Sequence, residues 1–369
     1  MSRRVFLHIG APKTGTTYLQ DRLARNASGL ADHDVHFPTR SPFVRPTTFH
    51  FRAALDLLGQ DWGGPPGHAE GHWDALMKRV RRRSGTVIIS HEILAPARSD
   101  QVSQVMADLS GSEIHVVYSA RDLGRSLPAA WQESIKQGRT WSFRRFLQRA
   151  RGGQPWFYHA LDVPSVLGTW GAGLPPERIH VVTVPPSREG SDGTHRGENP
   201  LWTRFCEAVQ IDPAWAPLDS DRTNRSLGMA EIQLIRALNA RLDKASRREP
   251  AYRALIDGML AQRTLVTSSA TPIRLPPADF DWAEEATERW IEYLEQSGVN
   301  VIGDLADLRP IPIPEGTPWL DPDRVPSRKR LLISLDALAA MTREAAARPD
   351  PSKQLAERAR RGAKRLRNK

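Results

Sequence analysis

A loop near the amino end of the chain carries the residue types best suited to binding an anion. It lies between an apolar run and a helical pattern, and its residues are Gly10-Ala11-Pro12-Lys13-Thr14-Gly15-Thr16-Thr17. Backbone N–H groups converge where a strand of a parallel sheet passes into a helix, and the helix dipole favours negative charge there. The sequence therefore predicts an anion-binding loop. The alternative is an ordinary turn between a strand and a helix.

The position of the lysine separates this loop from the phosphate loop of ATPases and kinases. Gly10 and Gly15 keep the G-x-x-x-x-G spacing, after which such a loop has a lysine and then a serine or threonine that holds Mg²⁺. This chain has Thr16 where that lysine would stand, and its loop lysine is Lys13. The displaced charge favours a donor with a shorter anionic chain. A kinase or NTPase with a degenerate loop remains the alternative enzyme.

A second candidate is an arginine that follows the apolar run 114–118. The guanidinium of Arg121 has the planar fork that matches a phosphate group bidentately. Ligands of parallel sheets bind at the carboxyl ends of the strands, so this side chain is expected beside the loop. In the alternative interpretation, Arg121 pairs with Asp122 or with another surface acid.

A third candidate is the pair His91 and Glu92, which follows the apolar run 86–90. A base near a reacting hydroxyl accelerates the reaction by roughly 10²–10⁴ when it accepts the proton. Successive strand residues point to opposite sides, so we expect only one of the two to face a bound ligand. Glu92 is the first choice and His91 the second, and a purely structural role for both is the remaining interpretation.

These candidates are expected to be positioned by a parallel sheet. Four short runs rich in Val and Ile have the continuous apolar character of strands covered on both faces; they are 5–9, 86–90, 114–118 and 179–184. Helical patterns lie between and after them, at 16–26, 102–109, 124–138, 142–151, 201–209, 229–242 and 328–347. Strands separated by helices predict a parallel α/β fold. The segments 40–71 and 185–200 are expected to be irregular.

The loop resembles the 5′-phosphosulfate loop of sulfotransferases, whose signature is P-K-x-G-T-T-x-L and which use 3′-phosphoadenosine 5′-phosphosulfate (PAPS) as the sulfuryl donor. The residues from Pro12 to Leu19 match it. The resemblance implies that Lys13 stabilises the bridging oxygen and that Pro12, Thr14, Gly15, Thr16 and Thr17 cradle the 5′-phosphate. It implies a hydroxyl acceptor, less favourably an amine, on a carbohydrate, lipid or small molecule.

The same family places its 3′-phosphate motif where Arg121 stands. It usually has a serine eight residues later, where this chain has Ala129, and Ser126 lies nearby in a different register. Arg225 is a further candidate donor to the nucleotide. The resemblance implies a P-loop-like three-layer α/β domain, which we expect over 1–308. The prolines of 309–327 predict a linker, and the helical pattern and basic residues after it predict a helical basic extension over 328–369. A nucleotide-binding protein without catalytic activity is the non-enzymatic alternative, because of Ala129.

Charge and composition limit the other classes of function. The net charge is +10, and the ten basic and three acidic residues of 343–369 contribute +7 of it. A near-neutral body argues against a nucleic-acid partner, whereas the tail could make a weak membrane contact. One cysteine and no long apolar run predict a cytoplasmic protein. His68 and His72 lack a third ligand, so we expect no metal. Oligomeric state is not predicted.

Overall fold

The computed structural model describes residues 3–41, 43–154, 156–186, 199–221, 226–248, 250–265 and 270–348. Arg225 therefore lies outside the described residues, as do most of the segment 185–200 and the tail from 349 onward. None of the described helices combines the length and apolar character that a bilayer crossing requires.

A parallel sheet of six strands forms the centre of the molecule. The strands are β1 (Arg4–His8), β2 (Val35–His36), β3 (Thr86–Ser90), β4 (Glu113–Ala120), β5 (Ile179–Thr183) and β6 (Asn300–Ile302). Their order across the sheet is β2-β3-β1-β4-β5-β6, and every neighbouring pair is parallel. The predicted α/β fold with a central parallel sheet is confirmed. The short strands β2 and β6 were not predicted.

Helices occupy the connections between strands and most of the carboxyl half. They are α1 (Thr16–Arg25), α2 (Ala27–Asp32), α3 (Pro46–Leu57), α4 (His72–Arg81), α5 (Ser99–Asp108), α6 (Leu123–Lys136), α7 (Phe143–Arg151), α8 (Trp156–Leu161), α9 (Val163–Trp170), α10 (Pro200–Ala208), α11 (Met229–Arg241), α12 (Pro250–Arg253), α13 (Phe280–Ser297) and α14 (Ser327–Ala347). All seven predicted helices are present. The expectation that 40–71 is irregular was wrong over α3, which begins at Pro46 and buries an apolar face.

Successive residues of the central strands pack against different helical layers. Val5 and Leu7 of β1 belong to the larger apolar cluster, with side chains from α3, α4 and α6. Phe6 belongs to a second cluster, with Leu19 of α1 and Phe205 of α10. Because strand side chains alternate in direction, both faces of the sheet are covered. The sheet is thus the middle of three layers.

The segment after α13 packs on the rest of the molecule. The Asp323 carboxylate accepts a hydrogen bond from the N–H of Phe143 at 3.0 Å, and Gln233 of α11 donates to the carbonyl of Pro322 at 2.6 Å. Lys329 of α14 donates to the Thr271 hydroxyl at 2.9 Å, and Ala337 is buried. The proline-rich segment and the described part of the extension therefore have defined contacts with the body.

Candidate functional site

The predicted anion-binding loop lies at the carboxyl end of β1, a central strand of the sheet. The N–H groups of Ile9 and Ala11 donate to carbonyls of β4, which extends the pairing beyond the strand. The chain then turns, and the buried Thr14 hydroxyl closes the turn by donating to the Ala11 carbonyl at 2.6 Å. Lys13 adopts a φ of 69°, a left-handed conformation that is rare for residues other than glycine and is concentrated at functional sites.

Gly15 is required where the loop meets α1. It has a φ of 91°, and a Cβ at this position would lie 2.4 Å from Cδ2 of Leu201. A side chain would therefore clash with α10 as well as strain the backbone. Since none of Thr16–Leu19 is acidic, the dipole of α1 is not neutralised within its first turn.

The Thr16 hydroxyl lies at the start of α1 and is buried. Among the described residues its Oγ1 has no hydrogen-bond partner. Buried hydroxyls in native proteins are normally hydrogen-bonded, so an isolated one at a helix start points to a ligand that completes the bonding. Thr16 also occupies the position that a lysine takes in ATPases, and here that position is 3% exposed.

The Lys13 ammonium group binds a carboxylate on α6. Its Nζ lies 2.5 Å from Oε2 of Glu133, and Nζ of Lys136 lies 2.6 Å from the same oxygen. Burial acts to raise the pKa of Glu133, but the two ammonium groups outweigh it and hold the pKa well below its usual range. Glu133 is thus ionised and joins two positive charges. Sequence reasoning assigned no role to Glu133, although its i,i+3 spacing from Lys136 signalled an ion pair.

Arg121 lies at the carboxyl end of β4, next to the loop. Its Nη1 donates to the Lys13 carbonyl at 2.9 Å, while its buried Nε has no partner among the residues described. Burial, together with the nearby charge of Arg125, lowers the pKa of Arg121 to about 10. An anion would satisfy Nε and stabilise the buried charge.

Asp122 is the N-cap of α6 and is engaged by another residue. Its carboxylate accepts the backbone N–H of Arg125 at 2.8 Å and forms an ion pair with the same guanidinium. That guanidinium also donates to the carbonyls of Val184 and Pro185. Asp122 therefore fixes Arg125 across the ends of β4 and β5, and Arg121 keeps its unpaired Nε.

The other nucleotide-binding candidates are only partly placed. Ser126 is buried in α6, and its hydroxyl donates weakly to the Arg121 carbonyl at 3.4 Å. Ser126 therefore lies in the first turn of α6, five residues after Arg121. Pro12 is buried and Thr17 is half-buried within the loop and the first turn of α1.

Glu92 and His91 lie beyond β3, at the same edge of the sheet. The expected alternation does not continue past Ser90, because the chain turns there into the 3₁₀ segment Glu92–Leu94. As a result His91 Nδ1 lies 3.7 Å from Oε2 of Glu92. Glu92 keeps 27% of its side chain exposed, whereas His91 is almost wholly buried. A ligand at the edge of the sheet can reach the carboxylate more readily than the imidazole.

The imidazole of His91 is poorly prepared to accept a proton. Nδ1 accepts a hydrogen bond from the N–H of Ile93 at 3.3 Å, so the neutral ring carries its proton on Nε2. Burial lowers the pKa of His91, against the opposing effect of Glu92. The geometry therefore favours Glu92 over His91 as the candidate base.

A polar layer lies beneath the loop and joins three strands. His8 of β1 is fully buried, with Nδ1 2.8 Å from the Ser90 hydroxyl and Nε2 2.9 Å from the Ser119 hydroxyl. Gln20 of α1 donates to the Ser90 carbonyl at 2.7 Å. Burial is the main cause that lowers the pKa of His8 to about 3. This neutral layer fixes the strand ends that carry the candidate residues.

Aromatic rings lie between His91, the neighbour of the candidate base Glu92, and the surface. Phe51 of α3 lies 5.2 Å from the ring of His91 and 5.2 Å from that of Trp62. Trp62 is 36% exposed and has the guanidinium of Arg253 over its face. Trp73 and Trp170 are buried and donate to protein acceptors, so they are structural. Trp62 is therefore the exposed end of this row of rings.

Among the described residues, no group of three or more His, Cys, Asp or Glu side chains is arranged to hold a metal ion. His72 is engaged by the Ala69 carbonyl and Arg40. Comparison with protein-family models, with curated proteins and with solved structures finds no match for this chain.

Proposed function

We propose that this protein is a PAPS-dependent sulfotransferase that acts on a hydroxyl group, built on a P-loop-like α/β fold. The observation that carries the proposal is a pair of buried groups without partners, the Thr16 hydroxyl and Nε of Arg121. Thr16 begins α1 after the loop that follows β1, and Arg121 follows the neighbouring strand β4. The two are linked through Lys13 of the loop, whose carbonyl accepts a hydrogen bond from Arg121. Both groups donate hydrogen bonds, as a ligand with two separate phosphate groups requires.

The residues present fit such a donor, and each has a distinct task. PAPS, when bound, supplies a sulfuryl group whose transfer leaves negative charge on a phosphate oxygen. The Thr16 hydroxyl and the N–H groups at the start of α1 would hold the 5′-phosphate, and Arg121 would hold the 3′-phosphate. Lys13 would stabilise the charge that develops, provided its ammonium leaves Glu133.

The acceptor side of the site would be formed by Glu92 and the rings beyond it. The Glu92 carboxylate would accept the proton from the hydroxyl as its oxygen attacks. Phe51 and Trp62 would exclude water and contact the apolar face of a sugar, lipid or aromatic acceptor.

Calorimetry with two ligands tests the donor. We expect adenosine 3′,5′-bisphosphate to bind without metal and ATP with Mg²⁺ to bind far more weakly. The reverse preference would favour a kinase or NTPase. Binding of the bisphosphate with no sulfated product from labelled PAPS and a metabolite extract would favour a protein without catalytic activity.

A pair of lysine variants tests the role of Lys13. Lys13→Ala should lower sulfuryl turnover by roughly 10²-fold or more, because it removes charge stabilisation in the transition state. Lys136→Ala is the matched control, since Lys136 binds the same Glu133 oxygen but lies outside the loop. Turnover that is unchanged in Lys13→Ala, or equally reduced in both variants, would contradict the assignment.

A further inference from the structure

One face of α14 is apolar and exposed, although the opposite face packs on the body. Leu331, Leu335 and Leu338 follow an i, i+4, i+7 spacing, which places them on one side of the helix. Their exposed fractions are 59%, 53% and 61%, and the adjacent Leu332 is 55% exposed. Most leucines of folded proteins are far more buried, so a row of four is a candidate interaction surface. We call these four residues the leucine face.

The other side of α14 fixes the helix to the molecule. Ala337 is buried, and Ile333 and Met341 pack against the larger apolar cluster. Lys329 donates to Thr271. The helix is therefore anchored along its inner side, and the leucine face points outward as a fixed feature of the surface.

Positive charge surrounds the leucine face. Arg328 and Arg330 precede it, and Arg343 begins the stretch 343–369, whose net charge is +7. The acidic residues of the helix are Asp336 and Glu344, which line a shallow groove beside it together with Arg263 and Arg343. An apolar face flanked by basic residues is the pattern of helices that lie on anionic bilayers.

The same charges argue against a second copy of the chain as the partner. If two α14 helices paired in parallel and in register, Arg328, Arg330 and Arg343 of one copy would each lie beside the same residue of the other. In antiparallel pairing, Arg343 would lie beside Arg328, Lys329 and Arg330 of the other copy. Like charges would meet in both arrangements, whereas a surface of anionic lipids neutralises all of them.

We propose that α14 attaches this protein to anionic bilayers, with the leucine face inserted among the acyl chains near the headgroups and the flanking arginines on lipid phosphates. The inference does not depend on the proposed enzymatic activity. It combines an apolar signal with a basic one, and peripheral membrane proteins commonly need two signals for stable attachment.

Co-sedimentation of the full chain with vesicles tests this inference. We expect binding to vesicles of phosphatidylcholine with phosphatidylserine, weak binding to phosphatidylcholine alone, and release as salt rises. Leu331→Ser/Leu335→Ser/Leu338→Ser should lower the partition coefficient by about a hundredfold or more. Arg328→Gln/Arg343→Gln should lower it by about tenfold or more.

The control is a second triple variant with the same kind of change elsewhere. Leu218, Ile311 and Leu320 are 51%, 62% and 53% exposed, so their replacement with serine removes similar apolar surface outside α14. This variant should bind vesicles like the unmodified protein, and thermal unfolding should show all variants folded. Equal binding to neutral vesicles, equal loss in both triple variants, or a dimer in sedimentation that the α14 variant abolishes would overturn the inference.

Discussion

The Lys13–Glu133 pair makes a prediction about ligand affinity that is opposite to the usual effect of removing a site residue. In the free protein Nζ of Lys13 is 2.5 Å from Glu133, so an incoming anion has to compete with a carboxylate for this ammonium. Glu133→Gln removes the competing charge and leaves Lys13 and Lys136 close together. The bisphosphate should then bind more tightly, because it relieves the repulsion between two ammonium groups.

The magnitude follows from the exposure of the pair. A hydrogen bond between charged groups contributes about 1.5–3 kcal/mol. The Lys13 side chain is 35% exposed and that of Glu133 is 17% exposed, so solvent screening places this pair near the lower end. Since about 1.4 kcal/mol corresponds to a tenfold change, Glu133→Gln should lower the Kd for adenosine 3′,5′-bisphosphate by about tenfold.

Isothermal titration calorimetry of four variants checks the reasoning. Lys136→Ala should not tighten binding, because Glu133 then keeps Lys13 as its ammonium partner. Adding Glu133→Gln to Lys13→Ala should give none of the gain, since the competing pair is already absent. Weaker binding by Glu133→Gln alone would refute the argument, because it would mean that Glu133 holds Lys13 in the position that the ligand uses.

Changes at the candidate base, the buried histidines and a loop glycine have distinct expected outcomes. Glu92→Gln should lower turnover by roughly 10²–10⁴ with unchanged bisphosphate affinity, as measured by kinetics and calorimetry. Burial lowers the pKa of His8 to about 3 and of His50 to about 4. Below about pH 6.5 each of these histidines therefore binds a proton in the unfolded chain but not in the folded one. Lowering the pH from 7 to 5 should decrease the free energy of unfolding by about 2 kcal/mol per histidine, as measured by urea titration. Gly10→Ala should cost about 1–3 kcal/mol in the same assay, because its Cβ would lie 2.8 Å from Nε2 of His8. Gly168→Ala in α9 meets nothing within 4 Å and should stabilise by about 0.5–1 kcal/mol.

Each of these outcomes has a control or a contradicting result. Equal loss of turnover and affinity in Glu92→Gln would make Glu92 a binding or structural residue. If the free energy of unfolding is the same at pH 7 and at pH 5, the prediction that the buried histidines destabilise the protein in acid is wrong. If Gly10→Ala leaves the free energy of unfolding unchanged, the polar layer beneath the loop shifts to make room for the added methyl group without destabilising the protein.

The sequence predicted the centre of the fold better than its edges. The runs that became β1, β3, β4 and β5 are continuous and apolar because both faces of these strands are covered by helices. In contrast, β2 has two residues and β6 has three, and each pairs with one neighbour only. The position of such a short strand depends on its pairing with the adjacent strand, and no local sequence pattern indicates that pairing. Helix α3 was missed because its flanking prolines and glycines dominated the pattern.

The sequence predicted which site residues follow the ends of strands, but it did not predict which groups their charged side chains would pair with. Lys13, Glu92 and Arg121 were placed at one edge of the sheet because carboxyl ends of parallel strands share an edge. Glu133 comes from α6, and its contact with Lys13 spans 120 positions of sequence. Such a pairing depends on how a helix packs over the loop. The pairing of Asp122 with Arg125 was not predictable for the same reason, because Arg125 is also held by the carbonyls that follow β5.

The place of β1 in the sheet has a consequence for biosynthesis. It leaves the ribosome before both of its partners, β3 and β4, and its Arg4 lies opposite Glu113 of β4. At about 5–20 residues per second, on the order of ten seconds pass before those partners have been made. During that interval the nascent chain carries an apolar strand without its partners, which exposes it to aggregation. We therefore expect the yield of folded protein to depend on chaperone supply and growth temperature.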